Sequence, residues 1–425
     1  MKFSSLDGWL HWQEGLHSRP VELGLERVRR VWSDLGQGLA PLPPVITVAG
    51  TNGKGSCVAF LEAVLRAAGH AVGAYTSPHL VRYNERIRIR GEMARDRDIM
   101  AAFQRVEDAR GDTSLTYFEF GTLAALDLFA RAALDVLVLE VGLGGRLDAV
   151  NLVDADVALV TNVAIDHVAW LGEDREAIGR EKAGIFRPGR PAIYAQADPP
   201  ASLVASARSL GTPLYRAGED FSFSRTSDQW EFLFHDFHRR ALPLPAMRGR
   251  HQLENAAGAL AALHLLRGRL AVNQQAVREG LVRARLPGRF QVIPGPPRVV
   301  LDVAHNPAGV DALAANLKTL LPAGRRLAVF GALADKDIRS MAGELRGLIH
   351  HWYAAPPGDA RAPEAERLFA EVSAAGVDRS RVSGFESIAA ALKQALRSAA
   401  PEDTVVVFGS FLSVAEALDC LEPKQ

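Results

Sequence analysis

The segment VAGTNGKGS, residues 48–56, has the composition of a phosphate-binding loop. An apolar run precedes it and a helical pattern follows it, so its backbone N–H groups would point at an anion held at the helix N-terminus. Glycines let the backbone approach phosphate closely, and Lys54 supplies a cation. The usual loop places Ser or Thr directly after the lysine, whereas Gly55 intervenes here and the hydroxyl lies on Ser56. This context predicts a nucleotide site rather than a plain glycine turn. The residues predicted to contact the nucleotide are Thr51, Asn52, Gly53, Lys54, Gly55 and Ser56.

A carboxylate closes the apolar run LDVLVLEVG, residues 134–142. Glu140 would therefore lie at the carboxyl edge of a parallel sheet, where open α/β folds bind their ligands. Facing a phosphate loop, it would be a natural ligand for magnesium, which prefers oxygen donors and shares itself with substrate phosphates. A solvent-exposed acid or a salt bridge with Arg146 explains the residue equally well, and these alternatives stay open.

Two further titratable residues follow the next apolar run, DVALVTN. His167 comes a few residues after that run, and Lys182 lies on the amphipathic helix that comes next. On physical grounds alone, a single histidine is more often structural than a ligand. A helical lysine is usually a solvated charge, so the pattern gives Lys182 low priority.

A second pair of titratable residues lies in LDVAHNP, near the end of another apolar run. Asp302 and His305 would flank the strand end and precede a helix that begins at Pro307. These residue types suggest a site. An ordinary strand-to-helix connection, with Asn306 as the helix cap, fits them equally well.

These residues must be positioned by alternating strands and helices. VITVAG (45–50), LDVLVLEVG and DVALVTN (156–162) predict buried parallel strands, and residues 54–69 predict a helix. A second series predicts strands within 298–306, 326–333, 350–357 and 403–410, with helices over 308–321 and 386–399. The alternation predicts an α/β protein with two domains. The first would be a P-loop ATPase domain with a mostly parallel, doubly wound sheet, and the second a smaller, Rossmann-like domain.

The boundary between these domains is predicted in a segment rich in proline and glycine, RARLPGRFQVIPGPPR. A hinge near 286–290 gives domains of residues 1–287 and 288–425. Late in the first domain, the alternating pattern over 218–245 predicts an inserted β-hairpin.

Composition excludes several classes of protein. Lys plus Arg equals Asp plus Glu, at 49 each, so no overall charge favours nucleic acid or an anionic membrane. The two cysteines, Cys57 and Cys420, make neither a disulfide framework nor a thiolate zinc site. The first residues lack the apolar core of a signal peptide, and no apolar run is long enough to span a bilayer. We therefore expect a cytoplasmic protein without a nucleic-acid or membrane partner.

Seven motifs, in order along the chain, resemble those of folylpolyglutamate synthases: GTNGKGS, YTSPHL, NERIRI, FEF, EVGLGGRLDAVN, DH…LG…EKAGIF and DVAHNP. The chain is most similar to the bifunctional bacterial dihydrofolate synthase/folylpolyglutamate synthases, over nearly its whole length. That family carries the extra glycine after the loop lysine, whereas the related cell-wall Mur ligases place Ser or Thr there. Only 49 residues precede Gly50, too few for the additional N-terminal domain of those ligases.

The resemblance implies ATP and two magnesium ions. Ser77 would bind one magnesium together with Glu140, and His167 would bind the second. Lys182 matches a lysine that is carbamylated in the family, a modification that turns a cation into an oxygen-donor anion. Whether a potassium ion (K+) also takes part is left open.

Further positions are implied for ATP and for the substrates. Asn255, Arg289 and Asp302 match ATP-contacting positions, and His305 lies beside them. Because these contacts would come from both domains, we expect domain closure on binding. The positions implied for the pteroate or folate substrate are Glu22, Leu23, Gly24, Thr116, Tyr117, Phe118, Glu119, Leu147, Asp148 and Ala149. The aromatic residues among them would equally suit a core. GALADKD, residues 331–337, is a candidate glutamate-binding segment.

The activity implied is ATP-dependent ligation of L-glutamate to dihydropteroate and to the γ-carboxyl group of reduced folates, by a monomer. One alternative is a monofunctional folylpolyglutamate synthase, or a Mur-type ligase with another acceptor. The other is a nucleotide switch without ligase activity, for which a second α/β domain with its own strand-edge Asp and His would be superfluous.

Overall fold

The computed structural model describes residues 1–35, 41–320 and 324–421. The chain divides into two units, which are Met1–Ala246 with Gln252–Arg285, and Met247–His251 with Leu286–Gln425. The first unit therefore ends at Arg285, close to the predicted boundary. The short segment of residues 247–251, which belongs to the second unit, has no counterpart in the sequence-based prediction.

An eight-stranded sheet forms the centre of the first unit. Its strands are β1 (Val45–Ala49), β2 (Val72–Tyr75), β3 (Ile87–Ile89), β4 (Glu92–Met93), β5 (Val136–Glu140), β6 (Val157–Val160), β7 (Ala192–Tyr194) and β8 (Leu214–Arg216). They lie in the order β4-β3-β2-β5-β1-β6-β7-β8. The six strands β2, β5, β1, β6, β7 and β8 pair in parallel with their neighbours. At the other end of the sheet, β3 pairs antiparallel with β2 and β4 antiparallel with β3. Because β1 lies between β5 and β6, the loops that follow these three strands meet at one edge of the sheet.

Ten α-helices accompany this sheet in the described part of the chain. They are α1 (Leu6–Glu14), α2 (Glu26–Leu35), α3 (Lys54–Ala67), α4 (Asp96–Arg110), α5 (Tyr117–Ala130), α6 (Val168–Leu171), α7 (Arg175–Ala183), α8 (Ala201–Leu210), α9 (Arg250–Leu265) and α10 (Gln274–Arg283). Helix α3 starts directly after the glycine-rich loop, as predicted. Side-chain caps fix other starts, including Thr116 at α5 and Asp174 at α7. None of the helices in the described ranges has the length and apolar character that a bilayer crossing needs.

The predicted hairpin in the first unit is larger than expected. Three antiparallel strands, in the order β11-β10-β9, form a separate sheet: β9 (Phe221–Arg225), β10 (Gln229–Phe234) and β11 (Phe237–Pro243). Alternation along β10 buries Trp230, Phe232 and Phe234 and leaves the residues between them more exposed. A two-stranded hairpin is marginal in water, and the third strand completes a small apolar face.

The second unit contains a six-stranded sheet of β12 (Gln291–Ile293), β13 (Arg298–Leu301), β14 (Arg326–Phe330), β15 (His351–Ala354), β16 (Val382–Gly384) and β17 (Thr404–Phe408). The order is β12-β13-β17-β14-β15-β16, with only the edge strand β12 antiparallel among these six. Its helices are α11 (Pro307–Thr319), α12 (Ile338–Leu345), α13 (Ala365–Ala374), α14 (Ile388–Ser398) and α15 (Phe411–Leu421). The predicted fold class, two α/β domains with parallel-rich sheets, is confirmed.

Candidate active site

The glycine-rich loop between β1 and α3 has a backbone that only glycine accommodates easily. Gly53, at the start of α3, has a φ of +84° and Gly50 has a φ of +149°. A Cβ on Gly50 would lie 1.8 Å from the hydroxyl oxygen of Thr161, and a Cβ on Gly53 would lie 2.4 Å from Asn255 Oδ1. The loop is therefore packed between the end of β6 and helix α9. Asn255, predicted to contact ATP, lies directly against it.

Hydrogen bonds from the segment after β6 fix the shape of this loop. The backbone N–H of Thr51 donates to the carbonyl of Asn162 at 3.1 Å, and that of Asn52 donates to Asn162 Oδ1 at 2.9 Å. The Thr51 hydroxyl donates to the carbonyl of Ala164 at 3.0 Å. Thr161 Oγ1 donates to the carbonyl of Asn52 at 2.6 Å. The loop is thus held by its neighbours before any nucleotide binds.

Lys54 and Ser56 supply the polar groups of the first turn of α3. Lys54 Nζ lies over the loop and donates to the carbonyls of Gly50 and Thr51, at 3.1 and 3.2 Å. Ser56 Oγ is buried and has no hydrogen-bond partner in the described ranges. A buried hydroxyl without a partner is costly unless a ligand or water engages it. The hydroxyl of Ser56, two residues after the loop lysine, is thus available to a ligand.

Glu140 lies at the same sheet edge. The parallel register pairs it with Val48 of β1, only 4% of its surface is exposed, and Ser77 donates its backbone N–H to Glu140 Oε2 at 3.2 Å. Arg146, the alternative partner considered from the sequence, instead pairs with Glu181 at 2.8 Å. Glu140 is therefore neither a solvated acid nor the partner of Arg146, and it lies beside Ser77 as predicted.

Lys182 is not the solvated charge that its helical position suggested, and that physical expectation is wrong. Helix α7 presents it inward, where only 2% of its surface is exposed. Burial and, to a smaller extent, the charge of Lys54 lower the pKa of Lys182 to about 7, and Asp166 and Asp148 oppose the change. The lysine thus lies within electrostatic reach of the glycine-rich loop.

His167 lies on the segment between β6 and α6. It adopts a left-handed conformation with φ of +52°, and its backbone N–H donates to Asp166 Oδ1 at 2.8 Å. Its ring nitrogen Nε2 lies 3.9 Å from Asp166 Oδ2, and its side chain is 43% exposed. The ring is therefore accessible to a ligand, next to a buried carboxylate.

The chemistry of this donor set suits magnesium. Among the described residues, no group of three or more His, Cys, Asp and Glu side chains is arranged to hold a metal by itself. Magnesium does not require one, because it keeps several waters and shares substrate phosphates with one or two carboxylates. Buried Glu140 beside Ser77, with the partnerless hydroxyl of Ser56 in the first turn of α3, fits such a site.

The structure brings together the three segments predicted to bind the pteroate. Gly24 donates its backbone N–H to the carbonyl of Leu147 at 3.2 Å. Arg27 on α2 donates to Glu22 Oε1 at 2.7 Å and to Glu119 Oε1 at 2.9 Å, so one guanidinium joins two of the segments. The predicted residues on these segments are Glu22, Leu23, Gly24, Thr116, Tyr117, Phe118, Glu119, Leu147, Asp148 and Ala149.

Two of these carboxylates have strongly defined surroundings. Thr116 caps α5 by accepting from the Glu119 N–H at 3.3 Å, and Glu119 Oε2 accepts from the Thr116 N–H at 2.8 Å. Burial raises the pKa of Asp148 to about 7, although the backbone N–H groups of Leu143 and Val150 hydrogen bond to it. Phe118 packs against the loop after β5, where a Cβ on Gly142 would lie 2.6 Å from its ring.

Arg27→Gln is expected to raise the KM for the acceptor by about 10- to 100-fold with little change in the KM for ATP, because small misplacements of a binding group are costly. The substitution removes both bonds that join Glu22 to Glu119. Steady-state kinetics with each substrate varied would measure this. Arg29→Gln, at an exposed position on the same helix, is the matched control. Equal KM values for wild type and Arg27→Gln would show that the bridge does not shape the acceptor site.

In the second unit, the predicted residues lie together at the end of β13. Asp302 accepts from the backbone N–H of Phe290 at 2.9 Å and from that of Ala304 at 2.8 Å. Burial raises the pKa of Asp302 to about 6, and the charge of Arg289 opposes the rise. The guanidinium carbon of Arg289 lies 5.0 Å from the ring centroid of Phe411. The ring centroid of His305 lies 5.7 Å from the same Phe411 centroid.

The strand-to-helix connection after β13 also has the ordinary role that the sequence allowed. Asn306 caps α11 by accepting from the Gly309 N–H at 2.9 Å, and Pro307 begins the helix. The cap accounts for Asn306 but leaves the cluster of Arg289, Asp302 and His305 unexplained.

Sequence reasoning missed several residues of the site. Thr161, Asn162 and Asp166 were passed over, although their position directly after an apolar strand was a usable signal. Arg27 carried no signal, because arginines are common on surface helices. Only its three-dimensional neighbours distinguish it.

Comparison with known protein families identifies the class of enzyme to which this chain belongs. The Mur ligase middle domain family matches residues 48–263, and the Mur ligase, glutamate ligase domain family matches residues 288–411. The two matches correspond to the two α/β units and define an ATP-dependent ligase of the Mur type.

The particular family follows from whole-chain similarity. The dihydrofolate synthase/folylpolyglutamate synthase of Escherichia coli is 47% identical over 422 residues, covering 99% of this chain and 97% of the relative. The chain belongs to the dihydrofolate synthase/folylpolyglutamate synthase family. The predicted resemblance and enzyme class are confirmed.

Solved structures of relatives show the same fold with ligands. An Escherichia coli structure in complex with DHPP and ADP is 48% identical, covers 98% of this chain and 97% of its own, and has a TM-score of 0.92. A bifunctional folylpolyglutamate synthase/dihydrofolate synthase with Mn, AMPPNP and L-glutamate bound is 46% identical, covers 98% of both chains and has a TM-score of 0.90. Relatives thus bind a nucleotide, a divalent metal and small-molecule substrates.

Proposed function

We propose that this protein joins L-glutamate to dihydropteroate, forming dihydrofolate, and to the γ-carboxyl group of reduced folates, at the expense of ATP. The observation that carries the proposal is the convergence in the first unit. The glycine-rich loop, Glu140 and Lys182 lie at one sheet edge, and the segments around Glu22, Glu119 and Leu147 are tied together by hydrogen bonds.

The reaction requires activation of the acceptor. A carboxylate is a poor acyl donor, because oxide would have to leave. An acceptor carboxylate oxygen attacks the γ-phosphorus of ATP, the bond to the bridging oxygen breaks, and ADP leaves with an acyl phosphate formed. The amine of glutamate then attacks the acyl carbon and loses a proton, and phosphate leaves with the oxygen taken from the acceptor. Lys54, held over the loop, would balance charge on the transferring phosphoryl group.

Two magnesium ions would be held by oxygen donors and one imidazole nitrogen of this chain. Ser77 and Glu140 would hold the first, and His167 with the carbamate of Lys182 the second. Bound magnesium would neutralise charge on the phosphates and orient them for in-line transfer. Buried Glu140 and the accessible ring of His167 support this assignment.

The surroundings of Lys182 support its carbamylation. Carbon dioxide reacts only with the unprotonated amine, and burial together with the charge of Lys54 favours that form. A carbamate would replace a buried ammonium with an anion facing Lys54. An unmodified neutral lysine would leave a poorly solvated amine in the interior.

The second unit would complete ATP and glutamate binding. We propose that Asn255, Arg289 and Asp302 contact ATP, that His305 acts beside them, and that residues 331–337 contribute to the glutamate site. The grouping of Arg289, Asp302 and His305 at one strand end supports this. We further propose that the protein acts as a monomer. Replacing potassium with sodium in the assay would test whether the reaction requires a particular monovalent ion.

Oxygen-18 in the acceptor carboxylate is expected to appear in the phosphate released with each product. The assay uses labelled dihydropteroate or a labelled reduced folate with ATP and glutamate, and mass spectrometry of the phosphate. Hydroxylamine should trap the same intermediate as a hydroxamate. Product that accumulates with unlabelled phosphate would overturn the acyl-phosphate route.

The same assay separates the alternatives. A monofunctional folylpolyglutamate synthase would form product only with the reduced folate, and a Mur-type ligase with another acceptor would form neither product. A nucleotide switch would hydrolyse ATP at a rate indifferent to glutamate.

A further inference from the structure

Two arginines, half-buried Arg27 and buried Arg86, lie near the proposed acceptor site, and only one of them is paired with carboxylates. Arg27 faces two carboxylates, Glu22 and Glu119. Arg86, which ends the turn Tyr83–Arg86 before β3, is 9% exposed and forms no ion pair with any carboxylate in the described part of the chain. Burying a charge without a partner costs free energy, so a bound anion would stabilise Arg86 in this position.

The contacts of Arg86 leave its outer nitrogens unused. Its Nε donates to His79 Nδ1 at 2.8 Å. The rings of Tyr83 and Tyr117 flank the guanidinium, with centroids 5.4 and 5.5 Å from Cζ. Neither Nη1 nor Nη2 has a hydrogen-bond partner among the residues that the structure describes. The planar fork is thus oriented by its base and its flanks, and two parallel donors are free, the geometry that binds a carboxylate in bidentate fashion.

His79 orients the guanidinium through this hydrogen bond. The ring accepts at Nδ1, because the nitrogens of an arginine side chain can only donate.

Arg86 contacts segments on both sides of the proposed site, through its backbone on one side and its guanidinium on the other. Thr76, directly before Ser77, donates its backbone N–H to the carbonyl of Arg86 at 2.9 Å. Ser77 in turn contacts Glu140 at the proposed metal site. On the other side, Tyr117 belongs to the first turn of α5, one of the proposed pteroate segments.

The two acceptors differ in their number of carboxylates, and a cation in this position would bind one of them and not the other. Dihydropteroate has one carboxylate, the one that is activated. A folate ends in glutamate and carries two, of which the γ-carboxylate is extended and the α-carboxylate is not. We propose that Arg86 binds the α-carboxylate of the terminal glutamate of reduced folates, and so directs the γ-carboxylate to the phosphoryl group. This inference rests on the proposed function and adds a residue that separates its two activities.

The test is Arg86→Gln assayed with both acceptors. Loss of a charge-assisted pair is expected to raise the KM for tetrahydrofolate by about 10- to 100-fold. The KM for dihydropteroate should stay within about twofold, because that acceptor lacks the α-carboxylate. Arg86→Lys keeps the charge without the fork and should recover part of the loss. Arg97→Gln, which removes an exposed arginine on α4, is the matched control.

A change in the substrate checks the same contact independently of folding. Tetrahydrofolate with its α-carboxylate converted to the amide should be a poor acceptor for wild type. The Arg86→Gln variant should discriminate little between the amide and the natural substrate, since the two changes remove one interaction.

The outcomes are distinct. Equal losses with both acceptors, a change confined to the KM for ATP, or unaltered kinetics with tetrahydrofolate would each overturn the role of Arg86. Wild type that extends only dihydropteroate would overturn it too. Wild type that forms neither product refutes the proposed function itself.

Discussion

Glu140→Gln is expected to lower turnover by about 10²- to 10³-fold while the fold stays intact. The amide has the shape of the carboxylate and can still accept from the Ser77 N–H, so packing and the hydrogen bond at 3.2 Å survive. What disappears is the negative charge at the end of β5. A neutral oxygen is a much weaker magnesium ligand than a carboxylate.

Two measurements would check this result. Steady-state kinetics with each acceptor give turnover, and a titration with Mn²⁺ followed by electron paramagnetic resonance gives metal affinity in the presence of AMPPNP. Glu92→Gln, at an exposed position on β4, should match wild type in both. Near-normal turnover of Glu140→Gln with unchanged Mn²⁺ affinity would contradict the assigned role.

The central strands of both sheets were predictable because their physics is local. β1, β5, β6, β13, β14, β15 and β17 are buried on both faces, and this produces continuous apolar runs. The outer strands β3, β4, β12 and β16 have two to three residues each and partly polar faces. Segments this short leave neither an apolar run nor a clear alternation, so no local pattern indicates them.

The candidate site also contains residues that the sequence predicted and residues that it did not. The glycine-rich loop and Glu140 were predictable because a residue's position after a parallel strand fixes where it lies in the fold. Lys182 was not, since helical periodicity alone does not decide which face of α7 is covered. Its role came from resemblance, and its burial from the structure. Arg86 differs from an ordinary surface arginine through its burial, its bond to His79 and the absence of a carboxylate partner among the described residues.

Lys182→Ala is expected to lose about 10²- to 10³-fold in turnover, comparable to Glu140→Gln, because it removes the proposed anionic ligand of the second magnesium. Short carboxylic acids such as acetate should restore part of the activity by placing an oxygen anion in the space left by the side chain. The acids should not activate wild type, and Lys318→Ala, at an exposed position on α11, should behave as wild type. Mass spectrometry under non-denaturing conditions should find the added mass of carbon dioxide on wild type and not on Lys182→Ala.

The pH dependence gives the carbamate its sharpest test. An ordinary lysine, with a pKa near 10.4, is almost wholly protonated at pH 7, whereas a pKa of about 7 leaves about half of Lys182 as the reactive amine. Because this pKa is lowered, the amine is available above pH 7 and is lost as the pH falls through 7. Wild type incubated below pH 7 in buffer free of carbon dioxide should therefore lose activity slowly, and bicarbonate at pH 8 should restore it. Full activity of Lys182→Ala without added acid, or indifference of wild type to bicarbonate together with an unmodified mass, would show that the lysine acts without a carbamate.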